Sequence, residues 1–266
     1  MERIMNKPTA MTTQDQLRQT IARLEAAAPG SRAGGRAGLA RFGIAGLDDA
    51  LGGGLAAGCL HEWAGPAGTG LCLRLMADAL PGPLLWAGTS AGFRTAGYPY
   101  GPGLSGLGLD PGRLHLVLAR EAAEALWAAE EALRCPALAA VVLELPGDGR
   151  AADLIATRRL ALAAREGGAF AFLVRHRALT APVAATSRWR IAAAPGPADG
   201  LGGLGATAFD LHLTKNRHGP TGRWRIVWSR DDRCFSLAAP PLDLAAPAGD
   251  RPDRAGGTVF PLRHAG

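Results

Sequence analysis

The sequence has few cysteines and no long apolar run. Its four cysteines are too widely spaced for a metal knuckle or a redox pair: Cys59, Cys72, Cys135 and Cys234. The N-terminal region has no apolar segment typical of a signal peptide, and no apolar run reaches membrane-spanning length. We therefore expect a cytoplasmic protein with reduced thiols and no membrane contact.

Aromatic residues are also scarce, at 6% of the chain, and basic residues outnumber acidic ones to give a net charge of +6. Between residues 175 and 225 the acidic side chains are reduced to Asp199 and Asp210, whereas arginines are frequent. This excess favours an acidic partner, with nucleic acid as the first candidate, although a solvated basic surface explains it equally well. The candidate contacts to DNA or to a partner protein are Arg175, Arg188, Arg190, Lys215, Arg217 and Arg223.

The hydrophobic pattern predicts one α/β domain over residues 38–238. Short apolar segments alternate with helical segments from residue 59 to residue 174, which is typical of a parallel sheet flanked by helices. Short strands joined by turns follow up to residue 237 and indicate an antiparallel C-terminal extension of the sheet. Residues 88–103, rich in glycine and aromatic side chains, are predicted to form a long loop that offers a contact surface.

Two segments flank this domain. Residues 1–37 are predicted to be a flexible leader that contains a short amphipathic helix, with Leu17, Ile21 and Leu24 on one face. That helix could bind a neighbouring subunit or another surface. Residues 239–266 are rich in proline, glycine and alanine and are predicted to be a disordered tail.

A glycine-rich loop between a predicted strand and a predicted helix has the spacing of a phosphate-binding loop, G-x-x-x-x-G-K-[ST]. It consists of Gly65, Pro66, Ala67, Gly68, Thr69 and Gly70. The next two positions carry Leu71 and Cys72, where a lysine for the phosphates and a hydroxyl for Mg²⁺ are expected. The backbone amides can still bind an anion. We therefore predict a vestigial phosphate loop, with Arg74 as the candidate replacement for the lysine.

Other segments resemble the core of RecA proteins. Residues 47–55 and 58–62 are similar to its opening, and residues 140–144 are similar to its Walker B strand, with Glu in place of Asp at the end. Residues 169–176 are similar to the strand that ends in a phosphate-sensing Gln, which His replaces here. The resemblance implies a RecA-like P-loop core.

The string from Leu213 to Gly222, followed by Trp224, resembles the C-terminal signature of the ImuA family. The resemblance covers about residues 40–238. It implies a role in damage-induced translesion synthesis, within the SOS response. ImuA proteins act with ImuB, a Y-family-like polymerase protein, and with an error-prone polymerase complex. DNA and RecA are further partners that it suggests, with a location at the nucleoid.

The strand at residues 84–87 is followed by Gly-Thr-Ser-Ala, so the catalytic Glu that RecA ATPases carry there is absent. Because the lysine, the hydroxyl and the general base are all missing, we predict no catalytic residue, no metal and no cofactor beyond vestigial ATP binding. The predicted function is a non-catalytic accessory protein. The alternatives are a DNA-dependent ATPase or recombinase paralogue with an atypical loop, and a DNA-binding regulator of recombination.

Several side chains permit two interpretations. Glu144 could hold Mg²⁺ through water, or it could cap its strand or pair with an arginine. Lys215 and Arg217 could contact a partner or DNA phosphates, or they could be a solvated edge. Trp189 and Trp224 could stack on bases, but a tryptophan in a strand more often belongs to the core.

Overall fold

The computed structural model describes residues 12–27, 38–145, 151–177, 180–197 and 205–238. The predicted tail and most of the predicted leader lie outside these residues. The strands of the described chain are β1 (Leu39–Ala40), β2 (Leu55–Ala56), β3 (Leu60–Ala64), β4 (Leu84–Thr89), β5 (Leu114–Ala119), β6 (Ala140–Leu145), β7 (Phe170–Arg175), β8 (Ser187–Ala194), β9 (Thr207–Asn216), β10 (Gly222–Ser229) and β11 (Cys234–Leu237). The helices of the same part are α1 (Thr13–Ala27), α2 (Ala45–Ala50), α3 (Gly68–Ala79), α4 (Ser90–Ala96), α5 (Gly101–Gly106), α6 (Ala122–Arg134) and α7 (Leu154–Gly167).

Nine of the described strands form one mixed sheet in the order β11-β10-β9-β8-β3-β7-β6-β4-β5. The six strands from β8 to β5 in this order run parallel, and β9, β10 and β11 add to them antiparallel. β1 and β2 form a separate antiparallel pair. The predicted mainly parallel sheet with an antiparallel C-terminal extension is therefore confirmed, and β3 lies in its middle.

The central parallel strands β3, β7, β6 and β4 are buried on both faces, which explains their continuous apolar sequences. Every residue of β6 and β7 is buried. On one face, α3 packs on the sheet through residues such as Leu71 and Met76, beside Trp63 and Phe172. On the other face, α6 and α7 pack through alanines and leucines, such as Ala128 and Leu160. The small side chains allow these helices to approach the sheet closely.

The antiparallel extension has one buried and one exposed face, as its alternating sequence requires. The side chains of Trp189, Ile191, Leu211 and Leu213 are almost fully buried against the α3 side of the sheet. The residues between them face the opposite side, which the described chain leaves largely open. The exposed face carries Arg190 and Arg223, two of the basic residues predicted to contact DNA or a partner.

The helix α1 packs on its own chain, although the sequence predicts it within a flexible leader. Leu17 is only 2% exposed and belongs to the core beneath α6, with Ile21 and Leu24 packed against the same core. The guanidinium of Arg18 lies 5.9 Å from the ring centre of Trp127 on α6. The predicted apolar face of α1 is correct, and it covers α6 and β5.

The prediction of one long loop over residues 88–103 is wrong, because α4 lies within it and α5 begins in it. The hydroxyl of Thr89 accepts a hydrogen bond from the backbone N–H of Gly92 and so caps α4. Phe93 is buried against Trp86, at 5.5 Å between ring centres. Because glycine has a low helix propensity, the sequence alone does not predict these short helices.

Candidate functional site

The phosphate-loop remnant lies between β3 and α3, as predicted. Gly65 has a φ of +131°, and its N–H donates a 2.8 Å hydrogen bond to the carbonyl oxygen of Arg175. A Cβ atom on Gly65 would lie 1.9 Å from the carbonyl oxygen of Ile191, so only glycine fits there. Pro66 and Ala67 form the turn, and the remaining loop residues Gly68, Thr69 and Gly70 begin α3.

The two residues that replace the lysine and the hydroxyl point into the core. Leu71 and Cys72 are each 1% exposed and belong to the hydrophobic cluster under α3. Burial, and then the nearby carboxylate of Glu144, raise the pKa of the Cys72 thiol well above its ordinary value. The protonated thiol is a poor metal ligand, since binding requires the thiolate.

Arg74 does not replace the missing lysine. Its guanidinium carbon lies 5.1 Å from the ring centre of Trp228, and Nη2 donates a 3.4 Å hydrogen bond to the hydroxyl of Thr207. Both contacts are with the antiparallel extension of the sheet. The side chain is therefore engaged away from the phosphate loop.

Glu144, at the Walker B position, is bound by two side chains of its own chain. Thr69 Oγ1 donates a 2.8 Å hydrogen bond to Glu144 Oε1, and His176 Nε2 lies 2.8 Å from the same oxygen. Glu144 is 6% exposed. This geometry favours the pairing of Glu144 over a metal role, although the partner is His176 and not the expected arginine. The three side chains form a closed polar cluster beside the loop.

A cavity of about 380 Å³ adjoins this cluster. Thr69, Glu144 and His176 line one side of it, and Tyr98 and Tyr100 form part of the rim with 51% and 71% of their surface exposed. No lysine or arginine lines it among the described residues.

Arg175 is buried, so its prediction as a surface contact is wrong. It is 0% exposed, and its Nε lies 2.7 Å from Glu62 Oε1. Arg188 Nε binds the other oxygen of Glu62, and the Arg188 side chain is only 18% exposed. Glu62 thus joins β3 to the strands on both sides of it. His61, its neighbour, bonds instead to Ser187 Oγ at 2.8 Å.

Arg190 and Arg223 lie on the exposed face of the antiparallel extension, as expected for contact residues. His212 lies between them in register on β9, with Arg190 opposite on β8 and Arg223 opposite on β10. Burial, and then the charges of Arg223 and Arg190, lower the pKa of His212. We call these three residues the basic strand face. In the next row, Arg225 binds Asp210 at 2.7 and 2.9 Å.

Lys215 and Arg217 lie beside residues 180–186. Lys215 is partly buried, and its Nζ donates a 3.1 Å hydrogen bond to the carbonyl oxygen of Val183. Burial, and then Arg217 and Arg188, lower its pKa. Arg217 is exposed. Trp189 is a core residue at 1% exposure, and the half-buried Trp224 packs on it at 6.3 Å between ring centres.

Two parts of the site were not predicted from the sequence. The spacing of Asp210, His212 and Thr214 places them on one face of a strand, which could have indicated His212 as part of the basic row. The contact of Thr69 with Glu144 has no local signal, because these residues are far apart in sequence. Among the described residues, no group of three His, Cys, Asp or Glu side chains could hold a metal ion, and no helix is long and apolar enough to cross a membrane.

A solved structure of the RadB recombinase has the same fold. It superposes with a TM-score of 0.53, covering 76% of this chain and 100% of that one, at 19% sequence identity. The likeness confirms the predicted fold class. This chain is a RecA-like α/β protein.

The family is shown by two proteins named ImuA, from Caulobacter vibrioides strains NA1000 / CB15N and ATCC 19089 / CIP 103742 / CB 15. Each is 35% identical to this chain over an alignment of 207 positions, which covers 69% of this chain and 80% of the relative. No protein-family model matches the chain. The chain belongs to the ImuA family, which confirms the resemblance found in its sequence.

Proposed function

We propose that this protein is a non-catalytic accessory protein of the DNA-damage response, which recruits or organises an error-prone translesion polymerase complex together with ImuB. It would act at the nucleoid, in the cytoplasm. One observation carries the non-catalytic part. The positions of the phosphate-binding lysine and the metal-binding hydroxyl are occupied by Leu71 and Cys72, and both side chains are buried in the core.

Phosphoryl transfer depends on positioning and on positive charge around the phosphates. The described cavity next to Thr69 and Glu144 is lined by no lysine or arginine, and Arg74 binds elsewhere. Thr69 and His176 both bind Glu144, so the polar groups left at the site bind one another. These features support a role in which the fold provides binding surfaces and no catalysis.

The test has two measurements on the full-length chain. ATP hydrolysis in the presence of single-stranded DNA is expected to be no higher than in a no-protein blank, with a RecA protein as the positive control. Affinity purification of a tagged chain from DNA-damaged cells is expected to bring down ImuB. Hydrolysis at the rate of the RecA control would overturn the non-catalytic assignment, and absence of ImuB would overturn the accessory role.

Direct DNA binding is a second candidate function, and the basic strand face supports it. Arg190 and Arg223 are exposed, and they flank His212 with no carboxylate in the same row. Affinity for single-stranded DNA is expected to fall steeply with salt, because bound cations are released from the phosphates. The variant Arg190→Glu/Arg223→Glu is expected to reduce that salt slope by about 2. Affinity that does not change with salt would exclude this function.

A further inference from the structure

A second, larger groove lies at the opposite edge of the sheet from the phosphate loop. Its volume is about 780 Å³. It runs between α7 and the N-terminal ends of the parallel strands. Gly58 lies just before β3, Leu60 is the first residue of β3, and Thr186 lies just before β8. The phosphate loop follows the C-terminal end of β3, so the groove is separate from the site described above.

The rim of this groove is basic. Arg158 and Arg165 reach it from α7, and Arg217 and His218 reach it from the end of β9. No aspartate or glutamate lines it among the described residues. Within the same part of the chain, none of these three arginines forms an ion pair, whereas the neighbouring Arg159 binds Glu130. Three unpaired guanidinium groups around one groove favour an acidic ligand.

The floor of the groove is apolar, and its surface extends onto α7. Leu60 and Val183 are buried beneath it. Leu162 lines it with 58% of its surface exposed, and Ile155, two turns earlier on α7, is 69% exposed. Exposed large apolar side chains next to a groove are typical of protein-interaction sites. The ligand must therefore supply apolar surface as well as negative charge.

The side chains that line the groove favour a peptide over a nucleic acid as its ligand. Among the described residues the groove contains no phenylalanine, tyrosine or tryptophan on which a base could stack. Arg158, Leu162 and Arg165 follow one another at helical spacing, so they form one face of α7 against which a second helix can pack. We propose that this groove binds an acidic amphipathic helix of a partner protein, with leucine-like side chains on the floor and carboxylates at the arginines.

The test measures fluorescence anisotropy of a labelled helical peptide of leucine and glutamate, titrated with the full-length protein. The groove variant Arg158→Glu/Arg217→Glu and the variant Leu162→Ser are each expected to bind about tenfold more weakly than the wild type. The matched control Arg190→Glu/Arg223→Glu changes the charge equally on the basic strand face and is expected to bind within about twofold of the wild type. Circular dichroism checks that each variant is folded.

If the groove variant bound the peptide as tightly as the wild type does, the proposal would be overturned. A labelled oligothymidylate that binds the wild type and loses affinity in the groove variant but not in the strand-face control would also overturn it, because the groove would then belong to nucleic acid. The inference shares with the proposed function only the need for a protein partner. Failure of the peptide test therefore leaves the co-purification of ImuB unaffected.

Discussion

The side-chain amide of Asn216 donates a 2.7 Å hydrogen bond to the carbonyl oxygen of Ala50, at the end of α2. It also donates to the carbonyl oxygen of Pro220 at 3.1 Å, and its own oxygen accepts from the N–H of His218. The turn between β9 and β10 is thus bound both to itself and to the start of the domain. This contact gives a structural reason for the string from Leu213 to Gly222 that resembles the family signature.

Replacing Asn216 by alanine is expected to lower the free energy of unfolding by about 1–3 kcal/mol, because the carbonyl oxygen of Ala50 loses its partner. Urea unfolding followed by circular dichroism measures the change. Thr221→Ala, in the same turn but exposed, is the matched control and is expected to change stability by less than about 0.5 kcal/mol. Equal stability of the two variants would show that the amide contact contributes nothing.

Glu62→Gln is expected to destabilise the protein by about 3–5 kcal/mol, because it removes the carboxylate charge between Arg175 and Arg188. Thermal or urea unfolding is the measurement. Glu166→Gln is the control: Glu166 is 61% exposed in its pair with Arg134, and an exposed pair contributes no more than about 1 kcal/mol. If Glu62→Gln lowers the free energy of unfolding no more than Glu166→Gln does, the structural role of this ion pair is contradicted.

Stability is expected to depend on pH through His61. Burial lowers the pKa of His61 to about 4, from an ordinary value of 6.5. The folded state therefore keeps the imidazole neutral while the unfolded state takes up a proton. The stability that the neutral ring contributes is fully present above pH 6.5 and is lost as the pH falls to about 4, by roughly 3 kcal/mol.

Urea unfolding at a series of pH values tests this, with His61→Gln as the non-titrating comparison. Carboxylates titrate in both proteins, so the difference between the two pH profiles isolates the histidine. The profile of the variant is expected to be flatter between pH 6.5 and 4. Parallel profiles would mean that His61 does not control acid stability.

The cysteines are expected to differ in reactivity. Cys234 is exposed, whereas Cys72 and Cys135 are buried and burial raises the pKa of both thiols. Because the thiolate is the reactive form, Cys234 should react with a thiol reagent in the native protein, and Cys72 only after unfolding. Mass spectrometry of the labelled peptides measures this. Rapid native labelling of Cys72 would place that thiol in an open phosphate site and contradict its burial.

The periodic parts of the fold could be predicted because each depends on local sequence. The continuous apolar strands β6 and β7 coincide closely with segments 140–144 and 169–176 of the sequence, and α7 lies in the helical segment between them. The short helices α4 and α5 could not be predicted in the same way, because packing of Phe93 and Leu104 stabilises them against poor propensity.

The candidate site was less predictable, because its contacts join distant parts of the chain. Arg175 follows an apolar strand and resembles the start of a basic surface, yet it binds Glu62 in the interior. The helical spacing of Arg158, Leu162 and Arg165 was visible in the sequence. The groove that they line could not be predicted, because it depends on the ends of β3 and β9 lying beside α7.

The packing of α1 has a consequence for assembly. With Leu17 buried beneath α6 and Arg18 over Trp127, this helix already occupies the surface of its own subunit. A filament that grew by passing α1 from each subunit to the next would first have to uncover that apolar surface in every copy, at the cost of its buried area. Polymerisation by exchange of α1 would therefore have to displace this helix from the surface of its own chain.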